Sequence, residues 1–130
     1  MIKTDDSLVR VLVCARAKIA DRQRWTAKIY SQGSDGTPCE PRSPHVSHLN
    51  VYGAVDWAIG DIFPGAGTEQ AQNIQNDVVY ALTQAARRLG YEHQPLPGGR
   101  SAITVLSQYG GHAAALEMFD KAIASLVSGV

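Results

Sequence analysis

Leu8, Leu12, Ala15 and Ile19 recur three or four residues apart, with Val9 and Val11 widening the stripe. That spacing predicts an amphipathic helix running to about Ala20, with Asp5, Asp6 and Ser7 as candidate N-caps. Arg22 to Trp25 then reads as a short turn that folds Trp25 back as a large anchor. Between Tyr30 and Pro44 the periodicity collapses into Ser, Gly, Asp and Pro. Lys28-Ile29-Tyr30 and Thr37-Pro38-Cys39 could flank an Asp35-Gly36 turn as a small hairpin, which Pro38 would keep short and at an edge.

A second helix is predicted from His45 to about Ile62, with Leu49, Tyr52, Val55 and Ile59 on its apolar ridge. Its Gly53-Ala54 pair would admit another backbone at close range. Pro64-Gly65-Ala66-Gly67 ends it, and Thr68 caps a third helix. Ala71, Ile74, Val78, Leu82, Ala85 and Leu89 form the core face of that helix, and Gly90 is its stop. Tyr91 to Gly99 is a connector. Ser101 to Gln108 reads as a short helix or turn, although its β-branched residues also suit a strand. From Gly110 onward, Leu116, Phe119, Ile123 and Leu126 define a closing helix, with Glu117 and Lys121 as a surface pair. The whole reads as one all-α domain over residues 1–130. It is a compact bundle of four to five helices, with a Gly/Pro-rich loop or small hairpin inserted after the first.

Composition adds boundaries to this picture. The 130 residues suffice for a core without disulfides or metal. Twelve basic residues balance twelve acidic ones, which removes any global argument for nucleic acid or an anionic membrane. The charge is nevertheless uneven, with eight basic and five acidic side chains up to residue 44, and four and seven beyond it. Arg10, Arg16, Lys18, Arg22 and Arg24 scatter around the helix instead of forming a stripe, so a solvated surface is expected. Cys14 and Cys39 lack the spacing of a metal site or disulfide framework. With no leader and no membrane-length apolar run, the expectation is a cytoplasmic protein without a cofactor.

Candidate chemistry concentrates in the second helix. His48, Tyr52 and Asp56 stand at successive i,i+4 positions, with His45 one turn earlier. Such a ridge could relay protons as catalytic groups. His45 and His48 could also contribute to a metal site, although the zinc-hydrolase helix motif is missing. A satisfied hydrogen-bond network is the plainer reading. Trp57 lies opposite the main ridge, facing a second layer or a partner. Arg100, after Pro97-Gly98-Gly99, could hold an anion at a helix start. His112 shares a face with Leu116 and Phe119 and is expected to pack and bond a neighbouring carbonyl.

Several short segments together resemble an uncharacterised bacterial and phage family, domain of unknown function family 6197. Ile19-Ala20-Asp21 with Arg24-Trp25 is similar to its opening segment, and Asp35-Gly36-Thr37-Pro38 to its turn. Asn50-Val51-Tyr52-Gly53-Ala54 resembles its Cys-x-x-Gly-Ala-type helix core. Gly111-His112 with Phe119-Asp120-Lys121-Ala122-Ile123 resembles its closing helix. The family cysteine is Asn50 here, its Asn-Asp pair is Ser107-Gln108, and its Thr is Gly111. The resemblance implies a fold and no activity, cofactor or partner.

The leading expectation is a small non-catalytic binding or protein-interaction module. Self-association would use the Gly53-Ala54 or Trp57 face. The alternative is a metal-assisted hydrolase using His45, His48, Tyr52 and Asp56, converging with His112 or Asp77. A third reading is a phage or mobile-element accessory protein that binds nucleic acid weakly through residues 10–28. No membrane partner is expected, and nucleic acid is disfavoured.

Overall fold

In the computed structural model the described residues are 3–27, 31–35, 37–41, 43, 46–94 and 100–128, with side chains from residue 7 onward. Among the described residues four helices carry the structure: α1 (Lys3–Lys18), α2 (Val51–Ile62), α3 (Thr68–Arg88) and α4 (Ala102–Ser128). Between α1 and α2 lie a single 3-10 turn (Arg22–Arg24) and two short antiparallel strands, β1 (Ser31–Gly33) and β2 (Val46–Leu49). The domain is therefore mostly helical with a small sheet, and the all-α description is corrected to that extent.

The apolar stripes meet as their spacing requires. Leu8, Val11, Leu12, Ala15 and Ile19 of the first segment are buried, and so are Val78, Leu82, Ala85 and Ala86 of α3. Val51, Ala54, Val55, Ala58 and Ile59 of α2 join them, as do Ile103, Leu106, Ala115, Met118, Phe119 and Ala122 of α4. α4 packs most extensively on α3 and next on α1, while α1 lies along α2. An Arg16–Asp120 ion pair, with Nε 2.7 Å from Oδ1, joins α1 to α4 at the surface. Being half exposed, it adds little stability beside the apolar core.

Three boundaries differ from the periodic reading. α1 already begins at Lys3, so Asp5, Asp6 and Ser7 lie inside it and are not its N-caps. Thr68 is the first residue of α3 and the cap position is Gly67, which offers no side chain. The largest correction is α2, which starts at Val51 and not at His45. Asn50 sits in extended backbone (φ −83°, ψ −176°) and its side chain accepts the Gly53 N–H at 2.8 Å. That N-cap fixes the helix start. Val46 to Leu49 are then too few for helical periodicity to settle, and they pair with Ser31 to Gly33.

The small hairpin is present in shifted form. Gln32 bridges Pro38, with the Gly33 N–H donating to the Thr37 carbonyl and the Cys39 N–H to the Ser31 carbonyl. β1 thus stands between this bridge and β2. Lys28-Ile29-Tyr30 and Gly36, expected in the hairpin, lie outside the described residues.

α4 contains the expected closing helix and, before it, residues 102–108, which the sequence leaves open among helix, turn and strand. The two are joined at Gly111, whose backbone is non-helical (φ 79°, ψ −167°). A Cβ on the preceding Gly110 would lie 2.5 Å from the Ala114 Cβ and 2.7 Å from the Tyr91 hydroxyl oxygen. Two glycines therefore serve different needs, one conformational and one of close approach. Ser101, immediately before α4, accepts the Thr104 N–H at 3.3 Å and shares a 2.6 Å hydrogen bond with the Tyr52 hydroxyl. We expect Tyr52→Phe to cost about 1 kcal/mol, the net value of such a bond, and Ser101→Ala about 1–2 kcal/mol because the cap goes too. Urea denaturation of the double variant should show less than the sum of the two losses.

Candidate functional site

His112 and Trp25 meet where α1 ends. The last turn of the first segment leaves the Ile19 carbonyl pointing onward, and His112 Nε2 lies 2.7 Å from it. The Trp25 ring packs on the imidazole at 5.4 Å between centroids, tilted by 49°. Trp25 also forms a parallel bridge with Leu49, and the Thr26 N–H donates to the Leu49 carbonyl at 3.1 Å. His112 therefore links α4 to the end of α1 in a packing and hydrogen-bonding role.

Beside this junction opens a cleft of about 630 Å³. Asp21, Gln23 and Arg24 of the 3-10 turn form one wall. Gly33, Ser34 and Asp35 come from β1 and the residues after it, and Val46 and Ser47 from β2. The wall residues are placed by local bonds that the sequence makes with itself. Asp21 caps the turn by accepting the Gln23 N–H at 2.9 Å. Asp35 accepts the Thr37 N–H at 3.0 Å, and that bond holds its carboxyl below the ordinary carboxylate range. Both carboxylates are consequently oriented by backbone donors, leaving further lone pairs to accept from elsewhere. Close by in the chain, Trp25 Nε1 and His48 Nδ1 are buried with no hydrogen-bond partner among the described residues.

The expected His48–Tyr52–Asp56 ridge is not one helical face. His48 belongs to β2, opposite Gln32, whereas Tyr52 and Asp56 lie on α2. The strand-to-helix change at Asn50 breaks the i,i+4 geometry that the spacing suggested. Tyr52 is directed to Ser101, and Asp56 lines a separate depression with Thr68, Gln72 and Gln75. His45 lies outside the described residues. Among the described residues, no three His, Cys, Asp or Glu side chains gather as ligands for a metal ion. Asp77 is exposed on α3, and His93 is exposed in the connector.

Gly53 and Ala54 are buried inside the chain's own core, so they present no face to a second copy. Trp57 is half-buried and its ring carries the Lys18 ammonium at 4.4 Å from the centroid. Arg100 is turned back on its own segment: its guanidinium donates to Gln108 Oε1, its N–H donates to Gln94 Oε1, and its carbonyl accepts the Gln94 N–H. Pro97-Gly98-Gly99, the expected anion loop before it, lies outside the described residues.

The cleft residues escaped the sequence reading because they come from three short stretches with no common spacing. The local signals were the Asp-x-Gln and Asp-Gly-Thr turns, each with an acid two residues before the N–H it accepts.

Cys14 is held as a thiol. Partial burial and the nearby Asp61 carboxylate, 3.9 Å from its sulfur, raise its pKa above the ordinary 9.0. The neutral form is favoured on folding, so this contribution is complete below the unfolded thiol's pKa and fades as pH rises through the folded one. We expect iodoacetamide to label Cys14 more slowly than a free cysteine near neutral pH. Asp61→Asn should accelerate labelling, read by mass spectrometry, and an unchanged rate would contradict the share given to Asp61 and leave burial as the cause.

No family model, curated protein or solved structure matches the chain. Among the described residues, no helix is long and apolar enough to cross a membrane.

Proposed function

We propose that this chain is a small non-catalytic binding module that takes its ligand in the cleft between the 3-10 turn and the two strands. The observation that carries this reading is the contrast between that cleft and the rest of the molecule. The buried core is apolar apart from Ser31 and Ser107 among the described residues, both hydroxyls donating to backbone carbonyls. Asp21, Gln23, Arg24, Ser34, Asp35 and Ser47 instead line one concavity, Arg24 also bordering the neighbouring depression with Lys18 and Trp57. The volume of the cleft falls within the usual range for small-molecule sites, while its wall is more polar than most of them. Val46 is the one large apolar side chain among the described residues that line it, so recognition would rest on hydrogen bonds and charge.

Membership of the domain of unknown function family 6197 accompanies this proposal. Ile19-Ala20-Asp21, Arg24-Trp25 and His112, which carry part of that resemblance, meet beside the same cleft. A cytoplasmic setting is in keeping with two unpaired cysteines.

The test is a panel of amino acids, sugars, nucleosides and carboxylates titrated against isotope-labelled protein. Saturable shifts of the amides of residues 21–24, 33–35 and 46–47, lost in a Ser34→Trp variant that fills the cleft, are the expected result. A panel that leaves those amides unmoved at millimolar concentrations, or shifts that persist in the filled variant, would overturn the proposal.

A further inference from the structure

Resting on the cleft as the binding site, we infer that its ligand is a basic amino acid or a close zwitterionic analogue, with two cationic groups facing Asp21 and Asp35 and a carboxylate facing Arg24.

Among the described residues that line the cleft, Asp21 and Asp35 bring two negative charges and Arg24 one positive charge. Among the described residues, no ion pair joins any of the three to another side chain. Arg16 with Asp120 and Arg87 with Glu92 show the contrasting behaviour elsewhere on the surface. Ionised carboxylates accept hydrogen bonds and a guanidinium only donates them. A complementary ligand must therefore supply donors at two positions and an acceptor at one. Two cationic groups and one carboxylate satisfy that pattern, with a net charge opposite to that of the described wall.

Other ligand classes fit less well. An apolar ligand would strip water from all these groups and return no hydrogen bonds. A polyanion would meet two carboxylates for one guanidinium. A neutral sugar could exchange hydrogen bonds with the wall but would leave its net charge unanswered. The remaining groups, the Gln23 amide and the Ser34 and Ser47 hydroxyls, both donate and accept, so they follow the ligand and do not select its charge. Local caps keep Asp21 and Asp35 in place before anything binds, which reduces the ordering cost.

The experiment compares L-lysine, cadaverine, 6-aminohexanoate, glucose and citrate by chemical-shift titration of the full chain at low and high salt. Cadaverine lacks the carboxylate of L-lysine, and 6-aminohexanoate lacks the α-ammonium. L-lysine is expected to bind most tightly, and salt should weaken it. Asp21→Asn and Asp35→Asn, which keep a side-chain oxygen for the local caps, should each weaken it by about three- to fivefold, as befits exposed charge pairs. Arg24→Gln should weaken L-lysine and leave cadaverine bound as tightly as before or more tightly. Cleft shifts with glucose or citrate but not with L-lysine would overturn the ligand class and leave the binding site standing. No cleft shift with any of the five would overturn this inference, while the wider panel decides on the cleft itself. Equal binding of L-lysine and cadaverine would remove the role given to Arg24 and overturn the zwitterion assignment.

Discussion

Phe119→Ala should lower the unfolding free energy by about 3–5 kcal/mol, the usual loss when a fully buried phenylalanine is cut back to a methyl group. Phe119 is the largest of the completely buried side chains, at 0% exposure. It lies on the second half of α4, the helix that packs on both α3 and α1. Its removal leaves a void that several elements would have to close together, and close packing lets them do so only in part. A domain of this size has about 5–15 kcal/mol in hand, so the variant would keep only a fraction of its margin. Val127, on the same helix but 70% exposed, is the control. Val127→Ala should change stability by no more than about 0.5 kcal/mol. Urea denaturation followed by circular dichroism measures both, and similar midpoints for the two variants would refute the placement of the core.

Gly111→Ala should cost about 1–3 kcal/mol for a different reason. At φ 79° and ψ −167° the backbone occupies a region that is essentially reserved for glycine. Nothing stands within 4 Å of the position a Cβ would take, so crowding contributes nothing and the loss is conformational. If the chain relieves the strain by turning toward a regular helix, the second half of α4 must swing relative to the first. The contact of His112 with the Ile19 carbonyl would then open, and the Trp25 ring would lose its imidazole neighbour. A change in Trp25 fluorescence in a Trp57→Phe background, accompanying the fall in stability, is the expected signature. An alanine variant as stable as the parent, with unaltered emission, would show that residue 111 does not need this backbone.

The helices were legible where their stripes were long. The first segment shows Leu8, Leu12, Ala15 and Ile19, and α3 shows Val78, Leu82 and Ala85, because several turns of one face repeat the same spacing. The four residues of β2 gave no such redundancy. His48, Tyr52 and Asp56 happen to stand four apart, and that coincidence imitated a helical ridge across a strand-to-helix boundary. Asn50 held the correcting signal, since an N-cap there ends any helix that tries to pass through it. The bond from His112 to a backbone carbonyl could be expected from its apolar neighbours, whereas its partner Ile19, 93 positions away, could not. The cleft was illegible for the same reason. Its walls come from parts of the chain that only the tertiary fold brings together.

The links between the first and last helices also set an order of assembly during synthesis. Arg16 meets Asp120, and Ile19 meets His112, so α1 cannot be fully covered until α4 has left the ribosome. At ordinary elongation rates of about 5–20 residues per second, the apolar faces of α1 and α3 wait several seconds for their last partner. A nascent chain paused before Ala102 would expose those faces together, and would be the form most in need of a chaperone.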